Sequence, residues 1–550
     1  MMIKSTLAAL PFFLLQASWA SAPAAEPIPA AETPAAETPA AETPAGWYRS
    51  GEQAIAQRRE RSDSGQARNV ILFVGDGMSL TTITAARLLA GQQAGESGES
   101  HRLSFESFPN IALAKTYNTN QQTPDSAGTM TAMVTGVKSY AGAIAVDQRS
   151  TRANCDSVAG HELVSIVDLA KASGLSAGIV TTARITHATP AAAYAKAPER
   201  GWEDDSGLAP AAAQAGCRDI ARQLVDYDIG GGLDVVFGGG RSSFMPAETF
   251  DPEYGDQPGR RRDRTNLIDA WLKADPSRVF VWNQSMFDKL PADAPGNVLG
   301  LFEQSHMQYE HDRAGDSAGE PSLAEMTIKA LDILQRRESD GYLLIVEGAR
   351  IDHAHHAGNA YRSLTDTIAL SDAIAATMAR IDPAETLVIV TADHSHALTF
   401  GGYAERGNPI LGLVRGPGRD GGSSKLSLDS EGKPYTSLNY INGPGFRSGP
   451  RPDYDDIDPE HPDFRQEAIA GLSASTHSGE DVAVYAIGPG ADTLHGSIEQ
   501  HLIFHAMIQA QPALARKAEQ IKGGDGLPQW RRLQQLLQAS AEPEPVEAVR

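Results

Sequence analysis

The sequence predicts an α/β fold, a three-layer doubly wound sandwich around a largely parallel central sheet. Six short apolar runs have the continuity of strands buried on both faces: Val70 to Val74, Ala177 to Val180, Val235 to Phe237, Tyr342 to Val346, Leu387 to Val390 and Val482 to Ile487. Helical patterns lie between them, at Glu162 to Ala172, Ile220 to Val225, Leu323 to Gln335 and Ala360 to Arg380. That alternation is what a doubly wound core requires. Carboxylates close three of the runs: Asp76 in the turn GDGM, Glu347 directly after Val346, and Asp393 beside His394. Ligand sites of open α/β sheets form beyond the carboxyl ends of the strands, so these side chains are expected to converge on one edge.

From the amino terminus, Lys4 precedes the apolar stretch Leu7 to Leu15, and small residues follow at Ser18, Ala20 and Ala22. This predicts a signal peptide over residues 1–22, cleaved after Ala20 or Ala22, and a periplasmic or secreted protein. Residues 23–46 contain three copies of AETPA, too poor in apolar surface to fold, and read as a disordered linker. Trp47 to Arg61 has the pattern of a helix. The strand runs spread from Val70 to Ile487, which favours one large catalytic domain over residues 47–535. The last segment, 536–550, ends in AEPEPVEAVR and reads as a disordered tail. After the signal peptide no stretch approaches about 18 consecutive apolar residues, so no membrane anchor is expected.

Lys plus Arg number 47 against 69 Asp plus Glu, a formal charge of −22. Nucleic acid is a poor partner for such a chain, because a phosphate backbone needs a basic face. The surplus reads as that of an exported acidic protein, with adaptation to high salt as the sharper alternative. Cys155 and Cys217 are the two cysteines. In an exported chain an even pair reads as one disulfide; zinc ligation is the weaker reading, since no CxxC spacing accompanies them.

The ionisable residues point to metal chemistry. Asp352 and His356 are four apart, on one face of a helix, and can meet one zinc with His477 as a further ligand. Asp393 and His394 can turn toward a second zinc with Asp76. Asp76, Thr189 and Glu347 offer an oxygen-rich third set suited to Mg²⁺. Paired zinc ions suit in-line phosphoryl displacement. Ser126, where a turn opens into a helix, is a candidate nucleophile, and Arg200 can fork onto phosphate oxygens. Taken singly, a serine at a helix start is a cap and an Asp-Gly is a turn. Only the whole set points to a metallohydrolase, and residue chemistry alone does not single out Ser126 or Arg200 from their neighbours.

VGDGM around Asp76, PDSAGTMTAMVTGVK around Ser126, TTARITHATPAAAY around Thr189, VEGARIDHAHH from Glu347, TADHSHALTFGGY from Asp393 and THSGEDVAVYAIGP from His477 together resemble the alkaline phosphatases. The resemblance runs from about Trp47 to about Pro512. It implies hydrolysis of small phosphomonoesters through a phosphoserine on Ser126, with Arg200 on the phosphate. One zinc would lie on Asp352, His356 and His477, a second on Asp76, Asp393 and His394, and magnesium on Asp76, Thr189 and Glu347. His187 and His353 match the animal-type branch, where the enterobacterial enzymes carry Asp and Lys, and would stand behind the metal ligands. Glu253, Phe302, Glu303 and Glu320 resemble that branch's calcium site, and Cys155 and Cys217 match one of its disulfides. Phe400 to about Arg465, Gly-rich, resembles the crown-like insertion at a dimer interface, which implies a homodimer. A phosphodiesterase or sulfatase is the rival within the superfamily, and a silent phosphate or metal binder the rival outside it.

Overall fold

In the computed structural model, residues 42–59, 65–337, 340–417 and 424–541 are described. The expected signal peptide, the linker up to residue 41 and the tail from residue 542 lie outside them. In chain order the strands are β1 (Asn69–Gly75), β2 (Asn110–Lys115), β3 (Ser176–Arg184), β4 (Val235–Gly239), β5 (Val279–Val281), β6 (Val298–Leu301), β7 (Tyr342–Gly348) and β8 (Thr386–Ala392). There follow β9 (Ser395–His396), β10 (Leu398–Phe400), β11 (Arg415–Gly416), β12 (Lys425–Leu426), β13 (Leu438–Gly443), β14 (Ala468–Gly471), β15 (His477–Ser478), β16 (Val482–Ile487) and β17 (Gly496–Glu499).

Ten of these form the main sheet, in the order β17-β2-β16-β8-β1-β7-β3-β4-β6-β5. Only β16 runs against its neighbours; every other pairing is parallel. The six apolar runs are all strands of this sheet. The other four carry a weaker sequence signal for physical reasons. β2 alternates, leaving Ile111 and Leu113 exposed, and β5, β6 and β17 are three or four residues long. Buried apolar side chains of the flanking helices, such as Leu331 and Leu334 of Leu323–Arg336 and Leu364 and Leu370 of Ala360–Met378, belong to one continuous core with the sheet.

The helix expected from Glu162 begins at Ile166. Ser165 caps it: its Oγ accepts from the Asp168 N–H, and the Asp168 carboxylate accepts from the Ser165 N–H. Both ends of the expected catalytic domain extend further than composition indicated. The first helix begins at Pro44, not Trp47, since proline at the first helical position loses no intrahelical bond, and Trp47 and Tyr48 anchor it on His501, Phe504 and His505. The last helix runs from Trp530 to Ala541 across the boundary expected at 535, because Leu533 is buried and Leu536 and Leu537 pack on the same core. Within the Gly-rich region, β10, β13 and β14 make a separate three-stranded sheet and β11 with β12 a two-stranded one. Among the described residues no helix is long and apolar enough to cross a membrane.

Cys155 and Cys217 form a disulfide across 62 residues of chain. The closed loop includes β3, Thr189 and Arg200, and Trp202, Leu208 and Ala212 form a small cluster against the bridge. Replacing both cysteines by serine is expected to lower unfolding free energy by about 4 kcal/mol, the loop-closure value for this length. Urea unfolding of the double variant checks this; a loss below about 1 kcal/mol would mean that packing, not the link, restrains the loop.

Candidate active site and metal centre

Strand register assembles the site. Val74 of β1 pairs with Glu347 of β7, and Glu347 pairs with Thr181 of β3. Gly75 of β1 pairs with Ala392 of β8, so the residues that follow them, Asp76 and Asp393, emerge side by side. Gly77 makes the turn possible. Its φ of +68° is left-handed, its N–H donates to Asp393 Oδ1 at 3.0 Å, and a Cβ there would lie 3.1 Å from Asp352 Oδ1. The helix Arg350–His356 starts just past β7 and sets Asp352 and His356 one turn apart, with His356 Nε2 3.2 Å from Asp352 Oδ2. The short ladder of β15 with β9 places His477 opposite His396.

Three groups of candidate ligands result, each with its donor atoms within 4.8 Å of one another: Asp352, His356, His396 and His477; Asp76, Asp393 and His394; and Asp76, His187 and Glu347. Asp76 belongs to two of them, so the groups adjoin. His396 is absent from the sequence-based ligand set. Its signal was the spacing in Asp393-His394-Ser395-His396, but only the β9–β15 pairing turns it toward His477. His187 likewise faces the third group directly, where the sequence reading put it behind the ligands. His355, in the same helix as Asp352, points away: Nδ1 lies 2.8 Å from Tyr440 Oη and Nε2 2.9 Å from Thr82 Oγ1.

The electrostatics of these groups are unusual for a protein interior. Asp76, Glu347, Asp352 and Asp393 are all buried. Both Asp76 oxygens, Glu347 Oε1, Asp352 Oδ1 and Thr189 Oγ1 have no hydrogen-bond partner among the described residues. Burial, then the charges of Asp393, Asp352 and Glu347, raise the Asp76 carboxyl far above the usual range. Burial pushes Glu347 up to about 8 despite a hydrogen bond from Thr181 Oγ1. Burial alone would raise Asp352 too, but His356, His477 and His396 hold it well below the ordinary value. In return, against the effect of burial, Asp352 lifts His356 to about 9. A crowd of buried carboxylates with unsatisfied oxygens, interleaved with imidazoles, is stable in ionised form only around cations. The donor set therefore fits metal ions.

Ser126 is the first residue of the helix Ser126–Thr135, and its Oγ lies 3.2 Å from His394 Nε2. Asp125 caps this helix and ties it to Arg200. Its Oδ1 accepts from the N–H groups of Gly128 and Gly142, both at 3.1 Å. Its Oδ2 accepts from Arg200 Nη1, also at 3.1 Å. Arg200 Nη2 lies 3.1 Å from His187 Nε2. Nothing in the sequence separates Asp125 from an ordinary capping aspartate; its second task depends on where the Arg200 loop returns.

A model of the alkaline phosphatase family matches residues 67–512. The chain belongs to the alkaline phosphatase family. It is 43% identical over 476 residues to the tissue-nonspecific alkaline phosphatase of Gallus gallus, covering 84% of this chain and 88% of that protein. The human tissue-nonspecific isozyme is 42% identical over 459 residues, 82% of this chain and 85% of the isozyme. The Gadus morhua alkaline phosphatase is 42% identical over 455 residues, covering 82% and 92%. These relatives agree with the animal-type branch. The fold matches that of the Thermus thermophilus enzyme, with TM-score 0.57 at 23% identity over 86% of this chain and 96% of that one. It also matches the enzyme of the Antarctic bacterium TAB5, with TM-score 0.54 at 24% identity over 82% and 98%.

This alkaline phosphatase carries one more acidic group, and it differs from the sequence reading. Glu253, Glu303 and Asp316 converge, whereas Glu320 Oε1 accepts from the Gln308 N–H at 2.8 Å, and burial pushes its carboxyl up to about 9. Glu320 stays close enough to Glu303 and Asp316 for their charges to raise its carboxyl further, and its Oε2 is buried without a hydrogen-bond partner among the described residues, so Asp316 joins the expected set and does not replace Glu320. Phe302, the remaining member of the expected set, is buried next to Glu303 in the chain.

The carboxylate crowd predicts a pH signature. Glu347 has a folded-state pKa raised to about 8, so its share of stability is full below its unfolded value of about 4.3 and is lost as pH rises through about 8. In chelated protein, Glu347→Gln should unfold with wild-type stability near pH 4.5 and be more stable by over about 1 kcal/mol at pH 9. Equal stability of the two at both pH values, by chemical denaturation, would show that burial and the neighbouring carboxylates do not raise Glu347 in the metal-free protein.

Proposed function

We propose that this enzyme is a periplasmic or secreted, metal-dependent alkaline phosphatase that hydrolyses small phosphomonoesters to an alcohol and inorganic phosphate through a phosphoserine on Ser126. The observation that carries the reading is the meeting, at one sheet edge, of buried carboxylates with unpartnered oxygens, a serine at a helix start and an arginine held by that helix's cap. Two zinc ions, on Asp352, His356 and His477 with His396 adjacent, and on Asp76, Asp393 and His394, together with one Mg²⁺ on Asp76, Thr189 and Glu347, would supply Lewis acidity and neutralise phosphoryl charge.

The chain's own groups account for the rest. Ser126 Oγ attacks phosphorus as the bond to the leaving alcohol breaks, and the alcohol takes up a proton. The free N–H groups at the start of Ser126–Thr135 favour the anion. Arg200 offers two parallel donors to phosphate oxygens. Asp125 opposes Arg200 with a full charge, and against the effect of burial the guanidinium keeps Asp125 ionised below its ordinary pKa. In the second half-reaction water attacks phosphorus, the Ser126 Oγ–P bond breaks, and the serine oxygen regains a proton. His353 and His187 lie beside this pocket, with rings 5.4 Å apart.

Two further assignments belong to this reading. Glu253, Glu303 and Asp316, an all-oxygen set, suit Ca²⁺. Phe400, Tyr403, Ile441, Phe446, Ile469 and Leu472 are exposed apolar residues on or beside the small sheet of β10, β13 and β14, a patch that supports a homodimer. Sedimentation giving a one-chain mass would count against that.

The decisive experiment combines chelation with substitution. Activity on a chromogenic phosphomonoester at alkaline pH should vanish on chelation and return with zinc plus magnesium. Ser126→Ala should keep its metals and lose at least about a thousandfold in kcat. Acid quenching of wild type with substrate should trap a phosphoryl group on the peptide that contains Ser126. Full activity in Ser126→Ala, or a quenched enzyme without phosphoserine, would remove the covalent mechanism.

A further inference from the structure

Behind the phosphate grip stands a residue that neither the metal groups nor the mechanism use. His306 lies in the segment after β6, whose backbone is pinned on both sides: Gly240 and Arg241 N–H groups donate to the Glu303 carbonyl, and the Met307 N–H donates to the Thr182 carbonyl. Its imidazole is partly buried and packs on His353 with ring centres 4.1 Å apart, and it stands edge-on to His187 at 5.3 Å. Both ring nitrogens lie beside Arg184, Nδ1 3.2 Å from its backbone nitrogen and Nε2 2.5 Å from Nη1; the neutral ring accepts from Arg184 at one of them and carries its own proton on the other. Arg184 cannot swing away. Its Nε and Nη2 fork onto Glu203 at 2.8 and 2.6 Å, and Thr186 Oγ1 donates to the same carboxylate at 2.7 Å.

We propose that His306 is a positioning residue for phosphate binding: braced by Arg184 and Glu203, it holds the His187 ring in the orientation that receives Arg200. The argument runs through one contact. Arg200 has two partners in this structure, Asp125 on Nη1 and His187 Nε2 on Nη2. A guanidinium only donates, so His187 must be neutral and present a lone pair. The other His187 nitrogen, Nδ1, is buried without a hydrogen-bond partner among the described residues, so no second hydrogen bond opposite Arg200 holds the ring. The plane is set by contact with His353 and His306. Remove His306, and both the packing on His187 and the anchor to Arg184 go with it; Arg200 then keeps Asp125 alone and its second fork loses its direction.

This inference rests on the assignment of Arg200 to phosphate, and the test separates the two. In metal-loaded enzyme, His306→Ala should raise KM for a chromogenic monoester and the inhibition constant of inorganic phosphate together by about tenfold, with kcat changed less than about threefold. Equal weakening of substrate and phosphate is the mark of lost uniform binding. Zinc and magnesium content should be unchanged. His306→Gln, which retains an acceptor for the Arg184 donors and a planar group against His353, should recover most of the loss. His306→Phe, which fills the space and lacks the acceptor, should not, and it serves as the test if the alanine variant fails to fold. Arg200→Ala is the control. If Arg200→Ala weakens phosphate while His306→Ala and His306→Phe shift only the melting temperature, His306 is a packing residue and the inference is wrong. If Arg200→Ala leaves phosphate inhibition unchanged, the assignment of Arg200 has failed and the inference falls with it.

Discussion

Four buried carboxylates, those of Asp76, Glu347, Asp352 and Asp393, face one another across the carboxyl edge of a parallel sheet, and the local architecture exists to hold them there. Bringing even two such groups out of water raises the pKa of at least one; bringing four together in ionised form needs compensating positive charge. The imidazolium of His356 supplies some of it to Asp352. His394 Nε2 lies 3.4 Å from Asp76 Oδ1, yet both Asp76 oxygens are without a hydrogen-bond partner among the described residues. The same arrangement that destabilises the empty site gives cations of the right size a steep gain in binding, and it gives an entering phosphoryl group a field of positive charge once they are in place.

The sheet makes the crowding possible because parallel strands in register deliver consecutive residues to the same edge. Gly75 beside Ala392 makes Asp76 and Asp393 neighbours, and Val74 beside Glu347 adds the third. The fourth comes from the helix that follows β7. Gly77 matters to this design because its N–H anchors Asp393 and its missing Cβ leaves room for Asp352. Around this rigid edge the groups proposed to meet phosphate arrive from elsewhere in the chain: Ser126 at a helix start beside its cap Asp125, and Arg200 within the disulfide-closed loop. The site thus combines a stiff edge of candidate metal ligands with an arginine held by Asp125 and His187.

Much of this was legible in the chain. The six apolar runs are strands because burial on both faces leaves a continuous signature, and the carboxylates at their ends follow from the α/β rule for ligand sites. The residues that the resemblance implies as ligands are brought together in the candidate groups, Asp352 with His356 and His477, and Asp76 with Asp393 and His394. What stayed hidden depends on long-range pairing. His396 faces the first group only through the ladder of β15 with β9. Asp125 looks like any N-cap until the loop bearing Arg200 returns to it. Asp316 lies four residues before Glu320 in one acidic loop, and composition does not show that it also turns toward Glu253 and Glu303. The short strands β5, β6 and β17, and the half-exposed β2, lack enough apolar residues to stand out. The ends of the domain were drawn too tightly because the low-complexity repeat runs into a helix at Pro44 and the composition of the last helix resembles a tail.

The claim that the carboxylates of the empty site carry protons which metals displace can be measured directly, by calorimetric titration of zinc and magnesium into chelated protein at pH 7 in buffers of different ionisation enthalpy. The account predicts net release of protons on binding, with Glu347 near 8 and His356 near 9 in the empty site as sources, and a release that shrinks as pH is raised past about 9. Binding enthalpies that are the same in every buffer would mean that the site is fully deprotonated before the metals arrive, and the electrostatic account of the centre would be wrong.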